Sequence, residues 1–325
     1  MNRRTTTRAL AALMTGLCMT GGTAMAQTWP TKPVTIMVGV PAGGALDPFA
    51  RALADQLNKT TGGTFIVDNR PGANGNLSAE MALKATDGNT LWIGTQSMMT
   101  INPAAFAQLR WKPSDFVPVL KAVEAPLVLV TNPSVKAKNF AELETWVKDP
   151  ANKAAYASFS PGTPSHFLGY QLNEKLKAKM VHIPYKGSAP QITDILGGQV
   201  PFGFTQLAAA TPQIKEGKLT AIAVTGPKRS RYLPDVPTLA EVGQGDLTTT
   251  IWFGVFVPRS TDPKLVEQIR SAVLKAHKEP AYRARLEMLN FDVPDGSIPE
   301  FESEIASDTA RWAALVKATG FKATD

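Results

Sequence analysis

Cysteine is all but missing from this chain: Cys18 is the only one in 325 residues. It falls inside an N-terminal leader-like stretch, so a mature chain without that stretch has no disulfides, thiolate nucleophiles or cysteine-based metal sites. Histidine is nearly as scarce. His166, His182 and His277 are the whole set; no two stand at metal-ligand spacing, and no H-E-x-x-H occurs. A serine hydrolase would show G-x-S-x-G after a strand, and a phosphate-binding loop would show G-x-x-x-x-G-K-[ST]; both are absent. No carboxylate pair stands on a glycine-rich turn, as acid–base chemistry would need. Beyond residue 26 no run approaches the ~20 apolar residues of a membrane span. Lysine and arginine form no block and no alternation with aromatics, which excludes the usual nucleic-acid surfaces. These absences point away from an enzyme and from a cysteine- or histidine-based metal site.

The first 26 residues are read as a secretory signal peptide. Arg3, Arg4 and Arg8 supply the positive start, Ala9 to Met19 the apolar stretch, and Ala24-Met25-Ala26 a small-x-small cleavage site. Leu17 before Cys18 does not suit a lipoprotein site. Loss of the three arginines lowers the net charge from +7 to +4, a mildly basic balance that suits a protein with anionic ligands.

The rest alternates short apolar runs with amphipathic helices, the α/β pattern. Val34–Val38 reads as a buried strand, Pro41-Ala42-Gly43-Gly44 as a tight turn, and Leu46, Phe49, Leu53 and Leu57 as one helix stripe. Phe65–Val67 and Thr90–Ile93 read as further strands. A second series is expected to begin with a strand at Leu127–Val130. It continues through strands at Ala155–Ala157, Met180–Ile183, Val200–Phe204 and Leu219–Val224, with helices near 140–147, 165–176 and 189–196. Trp252–Val257 reads as a strand returning to the first series. Asp262-Pro263 and Pro299 open the last helices, the final one with a stripe of Phe301, Ile305, Trp312 and Val316. Each strand–turn–helix unit delivers a helix N-terminus to the C-terminal edge of a sheet, where open α/β folds bind ligands and where carboxylates are favoured.

The turn Gly43-Gly44-Ala45-Leu46-Asp47, running on to Arg51, resembles the Bug family, the TctC-like solute-binding proteins of tripartite tricarboxylate transporters. The same order of motifs continues with Trp29–Pro33, Asp68–Gly75, Asp87–Leu91, Asp115–Val119, Gly162–His166, Pro184–Gly187, Gly217–Leu219, Pro234–Thr238, and Trp252 with Gly254. The resemblance implies a two-domain periplasmic-binding-protein (Venus-flytrap) fold with two crossing strands. Domain I is expected over 27–125 and 250–325, and domain II over 126–249. It also implies a periplasmic, monomeric receptor for a small carboxylate, delivered to a membrane permease of the tripartite tricarboxylate type. The alternative is a ligand-sensing adaptor for a membrane signalling protein.

Family members hold one carboxylate with main-chain amides and ordered waters from a loop in each lobe. Carried over, those loops are Gly43–Asp47 and Ser158–Thr163. The candidate ligand residues are therefore Gly43, Gly44, Ala45, Leu46, Asp47 and Phe49 in the first turn and helix; Thr95, Gln96 and Ser97 after the third strand; Ser158, Phe159, Ser160, Gly162, Thr163 and His166 in the second-lobe turn; and Thr205 and Gln206. From spacing alone Gly43-Gly44 is equally a plain connection, and Ser158, Ser160 and Thr163 equally helix caps. Asp47 and Arg51 at i, i+4 form an expected intrahelical pair, with Asp47 orienting water or loop amides. His182 is expected in the core and His277 on an exposed helical face. Three departures from the family bear on specificity: Gly39-Val40 replaces a proline and an aromatic, Ser160 follows Phe159 where a glycine turn is usual, and Thr205-Gln206 replaces a common aspartate. An opened cleft with one acid fewer favours a dicarboxylate, with a flat aromatic one such as terephthalate packing on Phe49 or Phe159.

Overall fold

The computed structural model describes residues 29–43 and 46–323. The expected signal peptide, with Gly44 and Ala45 of the first turn, lies outside them.

The first sheet is built from apolar runs that read as continuous because both faces are covered. β1 (Val34–Val38) lies between β2 (Phe65–Asn69) and β3 (Thr90–Thr95), all parallel. Helix α1 (Leu46–Thr61) follows β1 and buries the predicted stripe of Leu46, Phe49, Leu53 and Leu57. Helix α2 (Asn76–Leu83) follows β2. After β3 comes a π turn (Ser97–Ile101) running into a short helix, α3 (Asn102–Ala105).

β4 (Phe116–Thr131) corrects one expectation. The strand predicted at 127–130 is only the end of a 16-residue strand. Up to Pro126 it pairs antiparallel with β9 (Thr250–Pro258), which also pairs β3; from Leu127 it pairs with β7 (Phe202–Gln206) and β8 (Thr220–Val224). One strand thus runs from the first sheet into the second. Pro118 and Pro126 cannot donate to a ladder, and register shifts after Pro118 and Lys121 absorb the disruption.

The second sheet continues with β5 (Ala155–Ser158) between β7 and β6 (Val181–Pro184), all parallel. Its helices are α4 (Phe140–Lys148), α5 (Pro164–Leu176), α6 (Ser188–Leu196) and α7 (Leu207–Lys215). The chain returns beside β4, and Thr225 ties the two crossings. Its hydroxyl accepts from the Leu127 amide at 2.8 Å and donates to the Thr249 carbonyl at 2.7 Å.

α8 (Pro263–Lys278), α9 (Pro280–Met288) and α10 (Ile298–Thr319) complete the first sheet's cover. Asp262 caps α8, accepting from the Lys264 and Leu265 amides. α10 buries Phe301, Trp312 and Val316, and Trp312 packs 6.0 Å from Phe167 of α5, so this helix touches both sheets' layers. His277 is not exposed: it stands four residues after Val273 on the buried stripe of α8 and is 1% exposed. No helix among the described residues is long and apolar enough to cross a membrane.

The topology sets the turns after β1, β2 and β3 at one sheet edge and those after β5, β6 and β7 at the other. These are the strand ends at which open α/β sheets place ligands.

Candidate functional site

The first turn is held by one carboxylate. Asp47 is 4% exposed. Its Oδ2 accepts from the Gly43 amide at 3.1 Å and from Arg51 Nε at 2.9 Å; its Oδ1 accepts from Asn69 Nδ2 at 3.0 Å, and the same Nδ2 also donates to the Val40 carbonyl. Burial alone would raise the Asp47 pKa, but Arg51, the Gly43 amide and Asn69 together outweigh it and hold the carboxyl below its usual range. Both oxygens are spent inside the turn, so Asp47 shapes the loop rather than offering an acid to a ligand. Gly43 itself lies at φ 81°, a left-handed conformation that glycine adopts freely.

Leu46 and Phe49 point the other way. Phe49 is fully buried, its ring centroid 6.0 Å from that of Phe253. It presents no surface to the strand edge, which corrects the expectation of an aromatic wall there. The helix stripe that made Phe49 apolar is what shuts it in the core.

Thr95, Gln96 and Ser97 are not an ordinary loop. Thr95 Oγ1 accepts from the Met98 amide at 3.3 Å as the chain enters the π turn, a helix irregularity frequent at functional sites. Gln96 is buried, and its Nε2 donates to Asp308 at 2.6 Å; Trp252 Nε1 donates to the same carboxylate at 3.0 Å. Ser97 is half-buried.

In the second-lobe turn, Ser158 is buried and its Oγ lies 2.7 Å from His182 Nε2. Thr163 Oγ1 donates to the Ser160 carbonyl at 2.7 Å rather than capping α5, and the Gly162 amide donates to His166 Nδ1 at 3.3 Å. Among the described residues the Ser165 and His166 amides at the start of α5 have no partner. Phe159 and Ser160 are half-buried. His166 stacks ring on ring with His182 at 4.0 Å, and His182 stacks on Tyr156 at 4.9 Å. Burial keeps both imidazoles neutral, with pKa values lowered to about 4; for His166 the neighbouring His182 adds to the shift. At the end of β7, Thr205 is buried with its Oγ1 unpartnered among the described residues, and Gln206 Oε1 accepts from Ser188 Oγ at 2.9 Å.

Residues outside the predicted set pack against both turns. A Cβ on Gly39 would fall 2.8 Å from Gly75 Cα, so the 72–76 turn packs against the first turn. A Cβ on Gly162 would fall 3.8 Å from Asn74 Nδ2 and 2.8 Å from Phe321. Asn74 and Phe321 therefore face the second-lobe turn. Asn74-Gly75 was readable as a turn signal, and both residues adopt positive φ, 54° and 90°. Phe321 carried no such signal. Two cavities of about 310 and 460 Å³ lie beside the crossing strands, and among the described residues Gln96 is the one predicted site residue that lines either.

If Asp47 organises the first turn, Asp47→Ala frees the Gly43 amide, Arg51 and Asn69 together. The expected result is a loss of about 1–3 kcal/mol in stability and at least ~10-fold weaker ligand binding, read by calorimetry. Because the folded pKa is depressed, this contribution is present above ~3.9 and lost as pH falls through the lower folded value. Unchanged affinity in a folded variant would remove Asp47 from the site.

A family model described as "Tripartite tricarboxylate transporter family receptor" matches residues 49–321. Protein BugT of Bordetella pertussis is 33% identical over 306 residues, 91% of this chain and 92% of that protein. MatC from Rhodopseudomonas palustris, solved with bound malate, superposes with a TM-score of 0.78 at 29% identity, over 89% of this chain and 100% of that one. A second R. palustris protein, solved with adipate, gives a TM-score of 0.80 at 28% identity, over 90% and 99%. The strands crossing between two sheets are thus those of a periplasmic binding protein, and the chain belongs to the tripartite tricarboxylate transporter receptor family, as a periplasmic solute-binding receptor and not an enzyme.

Proposed function

We propose that this receptor captures a small dicarboxylate between the turns at 39–47 and 158–166 and hands it to a permease of the tripartite tricarboxylate type. One observation carries the reading: the key polar side chains of both turns are spent within the protein, Asp47 on the Gly43 amide, Arg51 and Asn69, Thr163 on the Ser160 carbonyl, and Ser158 against His182. That leaves main-chain amides at helix starts as the donors and removes the cleft's predicted acid as a source of repulsion. Malate and adipate, held by two structural relatives, are both dicarboxylates. Terephthalate remains a candidate through Phe159 alone, since Phe49 is buried.

The clamp we propose has the division 27–125 with 250–325 against 126–249. The change of ladder partner on β4 at Pro126/Leu127 and the Thr225 tie to Thr249 support it. A ligand touching both lobes favours the closed state by its extra contacts there.

The test is a melting screen of protein unfolded and refolded to strip any carried ligand, with succinate, malate, adipate, citrate, glutamate, nicotinate and terephthalate. A dicarboxylate at ~100 times its Kd adds about 2.7 kcal/mol, a shift of several degrees. A response to uncharged solutes or amino acids instead of dicarboxylates would overturn the reading.

A further inference from the structure

The tip of the second-lobe turn is poorly held by hydrogen bonds. Among the described residues, every such bond made by residues 160–162 stays within 158–166. Ser158 Oγ and Thr163 Oγ1 donate to the Ser160 carbonyl, Ser160 Oγ to the Pro161 carbonyl, and the Gly162 amide to His166 Nδ1. Pro161 has no amide to offer. Yet Gly162 is buried, and at φ 68° it holds the left-handed backbone that glycine tolerates best. Something outside the turn covers it.

That cover is Phe321. A Cβ on Gly162 would fall 2.8 Å from Phe321 Cε1, so the ring fills the space a side chain would take. The ring also stands edge-on to both aromatic groups at the start of α5. Its centroid lies 5.3 Å from His166 at 72° and 5.8 Å from Phe167 at 86°. The backbone that carries it is fixed elsewhere. Gly320, at φ 64°, ends α10; the Phe321 amide donates to Thr319 Oγ1 at 3.1 Å, and the Ala323 amide to the Ala105 carbonyl of α3 at 3.0 Å. The tail is thus anchored on the 27–125 and 250–325 part of the proposed clamp, while its ring packs on the 126–249 part.

We propose that Phe321 is a positioning residue for ligand capture, a ring carried by one lobe that holds the other lobe's turn at 158–166 in its binding shape. The inference rests on the reading that this turn takes a carboxylate, and it adds how the turn is held. Phe321 and a ligand between the lobes favour the same closed arrangement. Loss of the ring therefore speeds release more than it slows capture.

The test compares Phe321→Ala and Phe321→Tyr with the parent protein. With no dicarboxylate added, amide hydrogen exchange over 158–166 is expected to be about 10-fold faster in Phe321→Ala, and unchanged over Val34–Val38. With adipate or malate as the probe, Phe321→Ala raises the dissociation rate at least ~10-fold and leaves the association rate within about two-fold. Phe321→Tyr, which keeps the ring, restores both readings. A purely structural role would lower the melting temperature and leave the dissociation rate alone, and that result overturns the inference. So does parent-like exchange over 158–166 in Phe321→Ala, or a Tyr variant as impaired as the Ala one. If neither adipate nor malate binds the parent, the dicarboxylate reading falls, and the exchange comparison still decides whether Phe321 holds the turn.

Discussion

Replacing Lys121 with Met lowers the unfolding free energy by about 3–5 kcal/mol at neutral pH, the usual result of stranding buried charge. Lys121 is only 12% exposed and sits between two carboxylates, Glu124 on its own strand and Glu304 on α10. Its aliphatic stem is the easy part to replace. What Met cannot do is neutralise Glu124 and Glu304, which then face each other without a cation between them. Burial by itself would lower the Lys121 pKa, but the two carboxylates outweigh it and raise the net value. A raised lysine pKa contributes stability that is fully present below the unfolded value of ~10.4 and is lost as pH rises through the folded one. Glu304 is already raised, chiefly by burial, against the pull of Lys121. Without the lysine it protonates more readily, so the penalty of Lys121→Met shrinks as pH is lowered toward 5. The double variant Lys121→Met/Glu304→Leu recovers part of the loss, because it removes a charge along with its partner. Urea unfolding of the three proteins at pH 7 and pH 5 checks this. A penalty below ~1 kcal/mol, or one independent of pH, would place the cluster in effective contact with water.

Much of the architecture was legible because the signals were local and repeated. Val34–Val38, Phe65–Val67 and Thr90–Ile93 are apolar runs bounded by turn residues, and each became a strand of one parallel group. The Asp262-Pro263 start of α8 was legible down to its capping bonds. The long β4 was not. Two prolines and charged Lys121 and Glu124 interrupt the stretch from Phe116 to Pro126, and only pairing with β9 overrides that local pattern. The helical path from 96 to 105 was missed for the opposite reason: a π turn has no 3.6-residue stripe to read. His277 could have been placed correctly, since it continues the Ile269–Val273 stripe by one turn. The site was harder. The Asp47–Arg51 pair followed from the i, i+4 spacing, and a role for Asp47 in ordering loop amides from the repulsion a carboxylate would exert on an anion, but the contribution of Asn69 needed β2 beside β1. Phe49 shows the limit most plainly. One helix periodicity assigned it to the core and a chemical expectation assigned it to the cleft, and burial decided for the core.

The folded protein loses stability steeply between pH 6.5 and pH 4, before most carboxylates titrate, and the cause is its three histidines. Each imidazole has its pKa lowered to about 4, chiefly by burial. In the unfolded chain each titrates near 6.5. Between those values the unfolded state binds more protons, so stability is full above ~6.5 and falls as pH drops toward the folded value. A displacement of this size is on the order of 3 kcal/mol per fully shifted group, and the three together give a drop of several kcal/mol. The geometry explains why the folded state resists protonation. His166 and His182 lie ring on ring at 4.0 Å, between Tyr156 on one side and Phe167 and Phe321 on the other. Protonating both would set two positive charges face to face in an apolar stack. His277 lies against Tyr282, with Arg283 adding repulsion and only the Pro294 carbonyl in support. Two of the three rings also hold the second-lobe turn, through Ser158 and the Gly162 amide. Acid therefore loosens this turn as well as the fold. Urea titrations at intervals from pH 7 to pH 4 should show the midpoint falling throughout. His182→Gln, which keeps a partner for Ser158, should flatten the fall by about a third. Proton NMR of the three imidazoles gives the direct reading, and a ring that titrates near 6.5 in the folded protein would take its histidine out of the account.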